Sequence, residues 1–150
     1  MEFILKKFDE LSNEELYEIM KLRQDVFIIE QKCIYPDLDE NDKEALHLFL
    51  KDEKIDEIIC YSRILKPGQT YKTASIGRVL VNKKYRNQGY AGKLISKSIK
   101  CVKEELKKNE ITIGAQNYLK EFYKSLGFEI ISDVYDDEGI PHVDMYLEIK

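Results

Sequence analysis

The sequence predicts an α/β protein of the α+β kind, a mixed sheet of six to seven strands flanked by helices. Three observations carry that expectation. The chain's 150 residues, 43% hydrophobic and 35% charged, suit one globular domain whose core needs no staples. Segments with period-two and period-3.6 hydrophobicity follow one another in the order β-α-loop-β-β-β-α-β-α-β-β. The most regular helical stretch, beginning at Tyr90, is entered from a strand through a glycine-containing turn.

The elements follow in order. Residues 3 to 8 are short and apolar with β character. Ser12-Asn-Glu-Glu15 reads as a capping box, and Leu16, Ile19, Met20, Arg23, Val26 and Phe27 recur at helical spacing, so a helix is expected over 13 to 30. Pro36 and a run of turn-forming acids make 31 to 45 a long loop, and loops of that length usually carry function. Residues 47 to 65 resemble two strands joined by a charged turn. A turn at Lys66-Pro-Gly-Gln precedes a strand over 74 to 82. From Tyr90, the positions Ala91, Leu94, Ile95, Ser98, Ile99, Val102 and Leu106 form an apolar helical stripe. A strand at 111 to 115, a short helix at 118 to 126 stopped by Gly127, and β segments at 128 to 134 and 143 to 149 complete the chain.

The net charge of −4 disfavours nucleic acid and anionic membrane as partners. Its distribution says more. Residues 30 to 44 hold six acids and two lysines, and 133 to 144 hold five acids with no Lys or Arg. Residues 83 to 93 instead carry Lys83, Lys84, Arg86 and Lys93 without an acid. One basic loop and two acidic segments suit a protein that holds an anionic ligand and a cationic one. Cys33, Cys60 and Cys101 are too few and too far apart for a disulfide framework or a zinc ribbon, so no metal is expected and the cytoplasm is the expected compartment. No apolar run is long enough for a signal peptide or a membrane span.

The segment VNKKYRNQGYAGKL, 81 to 94, runs from strand through turn to helix, the geometry of an anion site. Gly89, Ala91 and Gly92 leave room for a phosphate at the helix N-terminus, where N–H groups lack partners. The pattern from Arg86 to Ala91, R-x-x-G-x-A, is neither a Walker A loop nor a dinucleotide fingerprint. It resembles the acyl-CoA signature of the GNAT N-acetyltransferase superfamily. That resemblance extends over essentially the whole chain and is strongest with the superfamily's ElaA-like branch, at LRQDVFIIEQ (22 to 31), the Y-x-D-x-D loop (35 to 39), ASIGRVLVN (74 to 82), GAQNYLKEFYKSLGF (114 to 128) and YDDEGIPHVDM (135 to 145). It implies one GNAT domain over 1 to 150 with the acyl-CoA N-acyltransferase fold, and a homodimer as a common state.

The resemblance also implies roles. Acetyl-CoA would be held by Leu80 and Val81 on the strand, by Arg86, Asn87, Gln88, Gly89, Tyr90, Ala91 and Gly92 in the loop, and by Asn117 and Tyr123. Tyr123, four residues before the glycine of G-F, stands where the family often has the general acid, and a phenol near pKa 10 suits protonation of a leaving thiolate. A lysine-like amine is neutral roughly once in 2,500 molecules at pH 7, so a base is needed. Glu30, His47 and His142 are the candidates. Acceptor binding is expected at Glu30, Tyr35, Asp37, Asp39, Gln116, Tyr135 and His142, with the two acidic segments favouring a cationic acceptor, a small-molecule or protein amine. The alternative is a non-catalytic acyl-CoA-binding module that regulates or docks a partner.

Overall fold

The structure, a computed structural model, describes all residues from Met1 to Lys150. The strands β1 (Phe3–Lys7), β2 (Leu46–Asp52), β3 (Glu57–Leu65) and β4 (Ser75–Val81) form an antiparallel sheet in chain order. The strands β5 (Glu110–Gln116), β6 (Glu129–Ile130) and β7 (Tyr135–Asp137) all pair antiparallel with β8 (Ile140–Glu148). The two sheets meet at a single parallel bridge, Ala74 to Ile111. A mixed α+β sheet is therefore what forms, with eight strands, two of them very short.

The first helix begins as α1 (Asn13–Arg23) and continues to Glu30 in widened π turns, spanning the expected 13 to 30. Its start is the capping box: Ser12 Oγ accepts from Glu15 N–H at 3.0 Å, and Glu15 Oε1 accepts from Ser12 N–H at 2.8 Å. Ile19, Val26 and Phe27 pack from this helix onto Phe49, Ile58, Tyr61 and Leu80, on one face of the first sheet. On the other face lies α2 (Tyr90–Glu104), which buries Leu94, Ile95, Ser98, Cys101 and Val102 along one stripe. This larger core includes Leu48, Ile59, Ile64, Ile76, Ile113 and Met145. α3 (Lys120–Ser125) adds Tyr123, which meets Phe122 and Phe128 edge-on at 5.2 and 5.7 Å.

Two elements depart from expectation. The strand expected over 128 to 134 pairs only at Glu129 and Ile130, because the chain then turns away and Ser132 Oγ accepts the Asp144 N–H at 2.8 Å. A hairpin between β7 and β8 was not anticipated. Its turn residues, Glu138 (φ 53°) and Gly139 (φ 82°), are both left-handed, as a tight two-residue hairpin requires.

Candidate active site

β4 and β5 start side by side and then part. Thr112 N–H donates to Ala74 O at 3.0 Å and Thr73 Oγ1 to Thr112 Oγ1 at 2.7 Å; beyond this seam no backbone bond joins the two strands. The wedge between them opens into a cavity of about 430 Å³. Strand alternation gives it two sides. Ile113 and Ala115 belong to the core under α2 and α3, whereas Gly114 and Gln116 point to the opposite face, toward the first helix and the hairpin.

A bulge shapes the β4 wall. Tyr61 lies opposite Leu80 and Arg63 opposite Gly77, so Arg78 and Val79 together face Ser62. Arg78 is left-handed (φ 49°) and is held there by Asp37, whose Oδ1 is 2.7 Å from its Nε and whose carbonyl accepts from Nη2 at 2.8 Å. Ser75 to Val79 line the cavity, and Leu80 and Val81 lie just beyond. Because Asn82 N–H bonds Ile59 O at 2.8 Å, alternation turns the Val81 N–H to the wedge side and the Leu80 N–H toward β3.

The glycine turn follows. Asn87 (φ 64°) and Gly89 (φ 83°) are left-handed, and Gly89 caps α2, so the N–H groups of its first turn lack helical partners and have the polarity that suits an anion. A Cβ at Gly89 or Gly92 would meet nothing within 4 Å, which leaves the backbone open to a phosphate. Arg86 braces the turn: its Nε donates to Val81 O at 3.1 Å and its two terminal nitrogens to Glu30 at 2.8 and 2.9 Å. Asn117, at the end of β5, has a buried Oδ1 with no hydrogen-bond partner, an acceptor awaiting a donor. Open glycines, a helix N-terminus and that buried amide together fit the phosphate and amide groups of a coenzyme A thioester.

Tyr123 reaches the cavity from α3. It is 7% exposed, its hydroxyl bonds no protein group, and burial pushes its pKa up to about 12, with Tyr118 adding to the shift. It stays a protonated donor at neutral pH.

The three candidate bases separate clearly. His47 is a correction: it is 1% exposed and lies outside the cavity, with Nδ1 on Tyr61 OH at 2.7 Å and Nε2 on Asp42 O at 2.9 Å. Burial holds it below its usual pKa, and it has no free nitrogen for a substrate. Glu30 is also displaced from that role. It pairs with Arg86 outside the cavity lining, and that hydrogen bond holds its carboxyl below the usual range. His142 does line the cavity, stacked on Tyr135 at 6.1 Å. Its Nδ1 lies 2.8 Å from Ile140 O; donating there leaves the lone pair on Nε2.

The acidic loop also needs correcting, because its aspartates are not free for an acceptor. Arg23, 1% exposed, donates to Asp37 Oδ2 at 2.9 Å and to Asp42 Oδ1 at 2.7 Å. Arg63 donates to Asp39 at 2.6 and 3.0 Å and to Asp42 Oδ1 at 2.9 Å. With Arg78 on Asp37, three arginines neutralise three aspartates. Burial opposes ionisation of Asp39 and Asp42, but the arginine hydrogen bonds outweigh it and hold both below the usual carboxylate range. Tyr35 stays at the cavity, donating to Asp37 Oδ1 at 2.8 Å. Tyr35, Gln116, Tyr123, Tyr135 and His142 are thus brought together, whereas Glu30, Asp37, Asp39 and His47 stand outside the lining. Arg63, Arg78 and Tyr71 line the cavity without having been singled out from sequence. The bulge that aims Arg78 leaves no local sequence signal.

A wedge between two diverging parallel strands, with a glycine turn and helix N-terminus following one strand and a buried tyrosine in the wall, is the arrangement of an acyl-CoA-dependent acyltransferase. A family model described as the acetyltransferase (GNAT) domain matches residues 8–149, and the chain belongs to that family of transferases. A UPF0039 protein of Schizosaccharomyces pombe is 39% identical over 150 residues, 99% of this chain and 98% of that one. Protein ElaA of Escherichia coli is 36% identical over 140 residues, 93% and 92% of the two chains, and its crystal structure superposes with a TM-score of 0.86 over 98% of this chain and 99% of that one. An acyl-CoA N-acyltransferase from Pseudomonas aeruginosa, 27% identical, gives 0.89 over 98% and 99%. The chain therefore lies in the ElaA-like branch.

Proposed function

We propose that the protein transfers an acetyl group from acetyl-CoA to a primary amine of a cationic acceptor, by direct attack within a ternary complex. The observation that carries this is the shared cavity: Tyr123 lines it from α3, and His142 and the acidic hairpin line it from the other sheet edge. Acetyl-CoA, when bound, supplies an activated acyl carbonyl. The first turn of α2, from Gly89 to Gly92 with Asn87 and Gln88 before it, receives the phosphates, and the free Oδ1 of Asn117 accepts an amide N–H. The Val81 N–H, which faces the wedge, polarises the acyl oxygen, whereas the Leu80 N–H is turned toward β3 and does not share that role.

His142 Nε2 takes the amine's proton, directly or through a water, and Tyr123 returns one to the departing sulfur. The burial that keeps the phenol protonated also raises a buried thiol, as Cys60 shows at about 12, so donor and leaving group move together. Three free, buried cysteines suit a reducing cytoplasm, and no helix is long and apolar enough to cross a membrane. We take residues 1 to 150 as one such domain, open to homodimer formation.

The test is release of free thiol from acetyl-CoA with a mixed amine library, run with the native protein and Tyr123→Phe. Turnover that falls by about a hundredfold with calorimetric acetyl-CoA binding retained supports the proposal, that being the lower end of general acid contributions. An unchanged rate across pH removes Tyr123 from the role. Tight acetyl-CoA binding with no thiol release from any amine favours a non-catalytic module instead.

A further inference from the structure

Behind two tyrosines of the cavity wall stands a carboxylate, the last acid of the 133 to 144 segment, that was not among the acceptor residues expected from sequence. Asp144, on β8 opposite Gly114, accepts two phenols on one oxygen: Tyr71 OH at 2.9 Å and Tyr135 OH at 2.6 Å, both to Oδ1. Its Oδ2 has no partner in the protein. Asp37, Asp39 and Asp42 are each matched by an arginine, but Asp144 has no Lys, Arg or His within ion-pair distance. Both phenols line the cavity, and burial together with the carboxylate raises them, Tyr71 to about 12, so they remain donors and the cluster carries one negative charge. Gly114 makes room for the two phenols: a Cβ there would stand 3.1 Å from each phenol oxygen, closer than side chains normally pack, and 3.8 Å from Asp144 Oδ1.

A carboxylate next to the reacting nitrogen would favour its protonated, unreactive form. Held at a distance it is useful, because it can bind a second cationic group without touching the nucleophile. His142 and Asp144 share one face of β8 and are two residues apart, about 6.6 Å along the strand. An alkyl chain of about four or five methylenes sets two terminal nitrogens about 6 to 7.5 Å apart, at ~1.25 Å projected per single bond.

We propose that Asp144, with Tyr71 and Tyr135, anchors the non-reacting ammonium of the acceptor, so that the favoured acceptor is a short alkyl diamine whose other nitrogen lies at His142. This rests on the amine-acyltransferase function proposed above.

The experiment is calorimetric titration of alkyl diamines of increasing length, and of monoamines of matching length, into the coenzyme A-loaded protein, with thiol release from acetyl-CoA measured in parallel. The expected result is strongest binding at about four or five methylenes and an advantage over the monoamine of about tenfold, the worth of a charge-assisted hydrogen bond. Asp144→Asn should remove that advantage while coenzyme A affinity is kept. Gly114→Ala, which pushes on both phenols, should reduce it in part and decides the matter if the first variant fails to fold. Equal affinity for diamines and monoamines, or a diamine preference that survives these substitutions, overturns the anchor. Absence of thiol release with every amine overturns the acyltransferase function and the acceptor role with it.

Discussion

Asp42→Asn tests the arginine cage that holds the acidic loop. The Asp42 side chain is 11% exposed and lies 2.7 Å from an Arg23 nitrogen and 2.9 Å from an Arg63 nitrogen, both guanidinium groups being at most 4% exposed. Breaking a buried ion pair by removing one partner costs about 3–5 kcal/mol, because the other charge is left without compensation. Here Arg23 keeps Asp37 at 2.9 Å and Arg63 keeps Asp39 at 2.6 Å, so the lower end applies, about 3 kcal/mol. For a chain of this size that is a fall in Tm of roughly 6–12 °C. Urea unfolding and a thermal melt measure it, with Asp25→Asn, on an exposed surface pair, as the control that moves little. The cage also sets Arg78 and Tyr35 at the cavity wall, so acceptor KM should rise alongside. A loss under about 1 kcal/mol would refute the reasoning, since it would mean that water already screens these pairs.

Two further outcomes are expected. Gly89→Ala places a Cβ on a left-handed residue with φ 83°, at a backbone cost of about 1–2 kcal/mol; the turn should relax away from its cradle, and acetyl-CoA affinity measured by calorimetry should fall several-fold with the acceptor KM little changed. His47 is a base held below its free pKa by burial, so its contribution to stability is complete above about pH 6.5 and lost as pH falls below it, when the unfolded chain takes up a proton that the folded one refuses. Urea unfolding at pH 7.5 and 5.5 should therefore show a drop that His47→Gln flattens. The acids Asp39 and Asp42, held low by arginine, lose their contribution only below about pH 4.

Much of the fold was legible because it is written locally. The capping box at Ser12, the apolar stripe of α2 and the glycine turn before it each depend on residues within four positions of one another, and each forms as read. The weaker reading of 128 to 143 has a local cause too: Glu138-Gly139 is a two-residue hairpin turn, but glutamate in a left-handed position is a poor advertisement for one. His47 shows another limit. Its neighbours Leu46, Leu48 and Phe49 mark a strand, but which face the ring takes, and that Tyr61 and the Asp42 carbonyl meet it there, depends on the pairing of β2 with β3.

Sequence by itself determined the order of elements, the glycine turn at the start of α2 and the tyrosine four residues before Gly127, because hydrogen-bonding period and glycine freedom act over a few residues. Charge was another matter. The six acids of 30 to 44 looked like an acceptor surface, yet the tertiary structure spends three of them on Arg23, Arg63 and Arg78, partners 14 to 41 positions away. It leaves Asp144 unmatched and brings Tyr71 to it across 73 positions. A carboxylate's meaning is set by what stands within a few ångströms of it, since attraction falls with distance and with solvent between, and only the closing of the two sheets decides that company.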